Sequence, residues 1–129
     1  MRLPTELWVK AYLRRLSGQG LYAAIVKRGD DDHGTLWVKV SRLDGSAVLY
    51  GPAPEPLDAP DPDRRFLRMH KADVVPEADA DKQLRQARDF DSDLWIVEIE
   101  EPAAAAREAR RIPRLCGKSV ERQIGRAHV

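Results

Sequence analysis

The chain opens with apolar side chains at helical spacing. Pro4 and Thr5 precede the pattern, and residues 17–20 (SGQG) end it. Because residues three and four positions apart share one face of an α-helix, the spacing predicts an amphipathic first helix. The residues on its apolar face are Leu7, Trp8, Ala11, Tyr12 and Leu16.

Three β-strands are predicted next. Residues 21–28 are rich in strand-forming residues and end at a turn cluster, and residues 35–43 alternate apolar with polar side chains. Asp44-Gly45 is a strong hairpin signal, because a type I′ turn needs positive φ at both central positions. Residues 46–50 are therefore predicted to return as a third strand, and we expect the three strands to form a consecutive antiparallel meander.

The rest of the chain predicts a loop and three further elements. Residues 51–62 hold five of the nine prolines and are expected to form an extended surface loop. Residues 65–71 alternate as an exposed or edge strand does, with a helix as the alternative. A second helix is predicted to begin at Pro76 and run to about Asp89. The clearest strand is LWIVEIE at residues 94–100.

These elements predict an α+β domain over residues 1–102, in the order α-β-β-β-(β)-α-β. We expect two layers, with a mainly antiparallel sheet that buries one face beneath both helices. Trp8, Trp37 and Trp95 fall on three separate elements, which indicates one shared core. Residues 103–129 are predicted to form an Ala- and Arg-rich tail outside the domain.

Charge differs in sign between the predicted domain and the tail. The chain has 22 Lys and Arg against 21 Asp and Glu, yet residues 1–102 hold 15 basic and 19 acidic side chains, and residues 103–129 hold 7 and 2. Phosphate neutralisation needs clustered Lys and Arg, so an acidic domain argues against a dedicated nucleic-acid platform.

Hydropathy and cysteine content indicate the compartment. No apolar run approaches the roughly 18–20 residues of a bilayer span, and no secretory leader pattern is present, so we expect a cytoplasmic protein without membrane contact. The single cysteine, Cys116, excludes an internal disulfide framework, which agrees with a reducing compartment.

Three segments carry a family resemblance: RLPTELWVKAYLRR at residues 2–15, GPAP at 51–54, and VPEADAD followed by DFDSDLWIVEIE within 75–100. Together they resemble a family of short uncharacterised alphaproteobacterial proteins, known as a domain of unknown function. The resemblance implies a bacterial cytoplasmic origin. It brings no catalytic or binding residue, because the family has none established.

The last six residues need a separate interpretation. Residues 124–129, IGRAHV, match one translated frame of a common sequencing adapter, ATC GGA AGA GCA CAC GTC, at all six positions. We interpret them as adapter read-through, so that Arg126 and His128 carry no biological role.

Two acidic segments are candidate metal sites. Asp30, Asp31, Asp32 and His33 are weak candidates for a divalent cation, but the glycines on either side are typical of a turn, and we expect no metal there. The DFDSD segment at residues 89–93 fits part of a calcium-loop template that requires glycine where leucine follows, so it too is predicted to be a turn.

Motifs for catalysis are missing from the sequence. It contains no G-x-S-x-G, G-x-G-x-x-G or G-x-x-x-x-G-K-[ST] pattern. We therefore expect a protein that is not an enzyme and needs no cofactor. A small metal-assisted hydrolase around residues 30–33 stays open as an alternative.

The best candidate binding surface is the predicted edge strand. Aromatic residues among arginines on a sheet are able to stack bases while the cations bind phosphate, although charge on an edge strand also serves to prevent aggregation. The residues of this patch are Arg64, Arg65, Phe66, Arg68 and Lys71.

From these observations we predict a non-enzymatic cytoplasmic protein-interaction module. Its Pro-rich loop and Arg-bearing edge strand would meet an unknown protein partner, or a second copy of the chain, by strand addition. A weak RNA-binding accessory protein that uses the same arginines is the second hypothesis.

Overall fold

The computed structural model describes residues 3–54 and 64–102. Most of the Pro-rich loop and the whole predicted tail, with Cys116 and residues 124–129, lie outside the described residues. The elements are α1 (Thr5–Gly18), β1 (Tyr22–Lys27), β2 (Leu36–Ser41), β3 (Ser46–Pro52), β4 (Phe66–Arg68), β5 (Val75–Pro76), α2 (Glu77–Phe90) and β6 (Trp95–Glu100).

Six strands form one open sheet. Its order is β1-β6-β2-β3-β4, and the short β5 also pairs with β3. The paired strands run antiparallel except β2 and β6, which are parallel. The α+β class, the mainly antiparallel sheet and the order of elements are therefore confirmed.

The expected meander is wrong at its first step, because β6 lies between β1 and β2. The connection from β1 to β2 passes the start of β6, and two glycines allow this close approach. A Cβ atom on Gly34 would lie 2.7 Å from the Trp95 ring and 2.8 Å from the Asp30 carbonyl oxygen, and one on Gly29 would overlap the Asp93 carbonyl. The sequence pattern of these glycines indicated a tight turn. In the structure they are needed because a side chain at either position would clash with residues at the start of β6.

The two helices pack on opposite faces of the sheet, whereas the sequence suggested one buried face. On β6, Val97 and Ile99 belong to the core beneath α1 and Ile96 belongs to the core beneath α2, as does Leu94 just before the strand. Successive strand residues point to opposite faces, so an interior strand with buried apolar residues on both faces requires cover on both.

The three tryptophans are divided between the two cores. Trp8, on α1, and Trp95, on β6, belong to the core between α1 and the sheet, and Trp37 is partly buried against the core beneath α2. The Trp95 Nε1–H group donates to the Asp30 carbonyl oxygen at 2.7 Å. The expected single aromatic core is therefore two cores separated by the sheet.

The hairpin between β2 and β3 is present, but its turn differs from type I′. Positive φ occurs at Leu43 (64°) and Gly45 (90°) and not at Asp44. The Arg42 N–H group donates to the Ser46 carbonyl at 3.0 Å, which leaves a three-residue loop. A leucine in the left-handed region is strained, because its Cβ lies close to the following carbonyl oxygen.

Replacing Leu43 by asparagine is expected to stabilise the protein. Leu43→Asn raises the free energy of unfolding by about 0.5–1 kcal/mol, because asparagine tolerates the left-handed region and the leucine side chain is exposed. The opposite change, Gly45→Ala, places a side chain at a residue with positive φ and should lower the free energy of unfolding by about 1 kcal/mol. Urea unfolding of both variants checks the pair, and a destabilised Leu43→Asn protein contradicts the argument.

Candidate functional site

Side chains of the predicted patch at β4 contact other residues of the same chain. Phe66 is 1% exposed and packs against Trp8, with ring centroids 6.0 Å apart. Arg64 Nη2 donates to Thr5 Oγ1 at 2.7 Å, and the Arg64 guanidinium lies 6.0 Å from the Trp8 ring. The Phe66 ring is therefore part of the core and is not exposed for stacking on a base.

Arg68 closes the loop that follows β4. Its Nε donates to the His70 carbonyl at 3.1 Å and its Nη2 to the Lys71 carbonyl at 3.3 Å, while Nη1 lies 3.5 Å from the Asp73 carboxylate. Arg65 is half-buried, and Lys71 is the one exposed residue of the five predicted patch residues. The fold thus brings the patch residues together but directs two of the arginines to internal partners.

The candidate metal segment forms a turn that meets the start of α1. The Asp31 carbonyl accepts the Glu6 N–H group at 2.9 Å. The Asp30 carboxylate accepts the N–H groups of Asp32 and His33 at 3.2 and 2.7 Å. Within residues 3–54 and 64–102, no three His, Cys, Asp or Glu side chains are grouped to hold a metal ion.

A buried lysine lies beneath α2, at a position on β2 where the alternating sequence pattern indicates only a polar side chain. Lys39 is 4% exposed, and its Nζ lies 2.8 Å from both the Glu77 and the Asp81 carboxylates and 3.5 Å from Glu98. Burial acts to lower the pKa of Lys39, but the hydrogen bonds to Asp81 and Glu77 and the charge of Glu98 leave this pKa raised. The ammonium therefore stays protonated near neutral pH and attaches α2 to the sheet.

The His70 side chain forms a hydrogen bond with the backbone of β3, as a residue of a neighbouring strand would. Its Nε2 accepts the Leu49 N–H group at 3.1 Å, and its Nδ1 lies 2.7 Å from the Ala72 carbonyl, so Nδ1 carries the proton. Burial lowers the pKa of the His70 imidazole, the nearby Arg68 acts in the same direction, and Ala72 and Asp73 partly oppose them. Protonation would place an Nε2–H group against the Leu49 N–H group.

β1 is the edge of the sheet opposite β4, and it is longer and more apolar. It has six residues (YAAIVK) against three in β4. Among the described residues β1 pairs with β6 alone, and the side chains of Tyr22 and Val26 are 63% and 57% exposed. The Lys27 ammonium donates to the carbonyls of Ser92 and Leu94 at 2.7 and 3.1 Å, so its charge is held beside the start of β6.

A cleft of 260 Å³ lies beside this edge, between α2 and the strands β1 and β6. Val26, Leu84 and Ile96 supply its apolar lining. Arg85 and Arg88 also line it, and in the part of the chain that the structure describes neither guanidinium lies within ion-pair distance of a carboxylate. The open strand and this cleft together form the candidate site, which we call the β1 edge.

Comparison with known proteins identifies relatives of unknown role. A family model described as "Protein of unknown function (DUF1491)" matches residues 3–107, in agreement with the resemblance noted in the sequence. A search of curated proteins finds no match. Neither helix of the described chain is long and apolar enough to span a membrane.

Solved structures share the fold with this chain. The solution structure of protein Atu0922 from A. tumefaciens is 38% identical, with a TM-score of 0.68, over 81% of this chain and 91% of that chain. The crystal structure of a DUF1491 family protein from Caulobacter crescentus CB15 is 33% identical, with a TM-score of 0.63, over 78% and 88%. An NMR structure of a DUF1491 family protein from Caulobacter crescentus CB15 is also 33% identical, with a TM-score of 0.65, over 80% and 89%.

Removing the buried lysine is expected to weaken the attachment of α2. Lys39→Met lowers the free energy of unfolding by about 1–3 kcal/mol at pH 7, because three carboxylates remain around an apolar side chain. Lys82→Met, at an exposed position of α2, is the control and changes stability by less than about 0.5 kcal/mol. Equal losses in the two variants would contradict the anchoring role.

The stability of the protein is expected to fall as His70 becomes protonated. Its pKa is lower in the folded state, so the unfolded state binds more protons once the pH falls below about 6.5, and folding is progressively disfavoured there. His70→Gln keeps an acceptor for Leu49 and does not titrate, so its unfolding free energy should change less between pH 7.5 and 5. Chemical denaturation across this range tests it, with His33→Gln as the exposed control; parallel pH profiles for the wild type and His70→Gln would refute it.

Proposed function

Because this chain belongs to DUF1491, a family of proteins of unknown function, we propose a role from its own surface: a non-enzymatic protein-interaction module that binds an extended segment of a partner at the β1 edge. The observation that carries this proposal is the exposure of a six-residue apolar strand at the end of the sheet, with Tyr22 and Val26 exposed. Natural edge strands are commonly short, charged or covered. β1 has six residues, its one charged side chain, Lys27, is directed to the Ser92 and Leu94 carbonyls, and no described strand covers its outer side.

Backbone chemistry makes such an edge a binding site. The outer side of an edge strand presents N–H and C=O groups that no neighbouring strand satisfies, and an added strand gains main-chain hydrogen bonds along its length. Pockets beside the edge then select the side chains of the added strand. The cleft beneath Arg85 and Arg88 supplies such a pocket.

The edge at β4 supports this role less well. β4 has three residues, Phe66 is buried, and Arg64 and Arg68 contact Thr5 and the following loop. The same contacts reduce the support for RNA binding through this patch, since that role needs an exposed aromatic ring among available cations. We keep Arg65 and Lys71 as secondary contacts of the module.

We also propose that the module acts in the cytoplasm. The support is chemical: one cysteine in the sequence provides no internal disulfide, as is usual for proteins of reducing compartments.

Blocking the backbone of β1 is expected to abolish partner binding. Val26 has no partner residue on β6, because the register shifts between Ile25 and Lys27, and proline is tolerated at such a bulge. With a photo-crosslinking phenylalanine analogue at Tyr22 in alphaproteobacterial cells, Val26→Pro should lower the yield of crosslinked partner about tenfold, since proline has no N–H group to donate. Val26→Thr keeps this N–H group and should retain the yield.

The same crosslinker at Leu7, an exposed position on α1, is the positional control. Circular dichroism establishes that each variant remains folded. Equal crosslinking from Leu7 and Tyr22, or a yield that Val26→Pro leaves unchanged, would rule out binding at β1. Crosslinked product that consists of two copies of this chain would identify self-association as the interaction.

A further inference from the structure

The charge of the cleft beside β1 indicates the chemistry of the partner. We infer that the β1 edge recognises an acidic extended peptide, which adds a strand to β1 and places carboxylates against Arg85 and Arg88. The inference rests on the proposed strand addition and deepens it, because it names the side chains that the added strand must carry.

The register shows which side chains of an added strand would enter the cleft. Tyr22 pairs with Glu100 and Ala24 pairs with Glu98, so these residues share one face of the sheet. Val26 lines the cleft with Leu84 of α2 and lies on the same face. A strand added to β1 would lie about 4.8 Å further out and would place every second side chain on this face, beside the C-terminal half of α2.

The cationic side chains in this region differ in whether a carboxylate lies beside them. The ammonium of Lys39 is surrounded by carboxylates, and the Arg28 guanidinium lies against those of Glu6 and Asp31. Arg85 and Arg88, which lie nearly one helical turn apart, have no such carboxylate within the described residues. A guanidinium group binds a carboxylate through two parallel hydrogen bonds, so this pair favours acidic side chains on the incoming strand.

Two other occupants fit the site less well. A second copy of β1 would bring Tyr22, Ala24 and Val26 to this face, and none of these side chains is a carboxylate for the arginines. A nucleic acid would leave the backbone N–H and C=O groups of the edge strand without a matching ladder of hydrogen bonds. An acidic peptide satisfies both the backbone and the arginines.

Binding of labelled heptapeptides to the full chain tests the inference. The probes alternate valine with glutamate, with glutamine or with lysine, and fluorescence anisotropy gives each Kd at low salt. The glutamate peptide should bind about tenfold tighter than the glutamine peptide. The double variant Arg85→Glu and Arg88→Glu should transfer this preference to the lysine peptide, whereas Arg14→Glu with Arg15→Glu, on the exposed side of α1, should leave it unchanged.

A backbone-methylated glutamate peptide separates the inference from the proposed function. Methylation removes the N–H groups of the added strand, so its binding should be lost. Equal affinity for the unmethylated glutamate and glutamine peptides, with loss on methylation, overturns the acidic preference and leaves strand addition standing. Failure of all peptides to bind, or binding that methylation does not affect, overturns strand addition itself. A single-stranded RNA that binds through Arg85 and Arg88 and is unaffected by Val26→Pro identifies a nucleic acid as the occupant and overturns the inference.

Discussion

The central position of β6 is the constraint on which the rest of the structure depends. This strand pairs with β1 on one side and with β2 on the other, and each of its faces contributes apolar residues to one of the two cores. A strand buried on both faces needs a covering layer on each, which is why α1 and α2 lie on opposite sides of the sheet. It also separates β1 from β2, and Gly29 and Gly34 are needed because any side chain there would meet the start of β6.

The electrostatics of α2 follow from its position over this sheet. The helix carries acidic residues in its first turn and basic residues toward its C-terminus, an arrangement that suits the helix dipole. Lys39 on β2 lies beneath the acidic part and contacts Glu77 and Asp81. The basic part lies over the strands beside the sheet edge, where Arg85 and Arg88 line the cleft. One helix thus attaches through its acidic end and leaves basic groups facing solvent.

The two edge strands of the sheet, β1 and β4, differ in length and in the contacts that neighbouring segments make with them. β4 is short, and the loop that follows it is closed by Arg68 and His70, which use the backbone carbonyls and the N–H groups nearby. β1 follows α1 and, among the described residues, pairs with β6 alone, so no described strand lies on its outer side. Interaction through β1 is therefore compatible with an intact core, whereas the aromatic residue of β4 is already part of that core.

Local features were determined by the sequence itself. Apolar periodicity and turn chemistry act over a few neighbouring residues. They predict the two helices, the β2–β3 hairpin, the turn at residues 30–33 and the strand β6. Four features were decided by tertiary structure: the insertion of β6, the burial of Lys39, the loss of Phe66 to the core and the exposed edge at β1. The physical reason is that strand order and burial depend on pairing between segments far apart in the chain. The local pattern of Lys39 or Phe66 is the same whether a helix covers that side chain or water does.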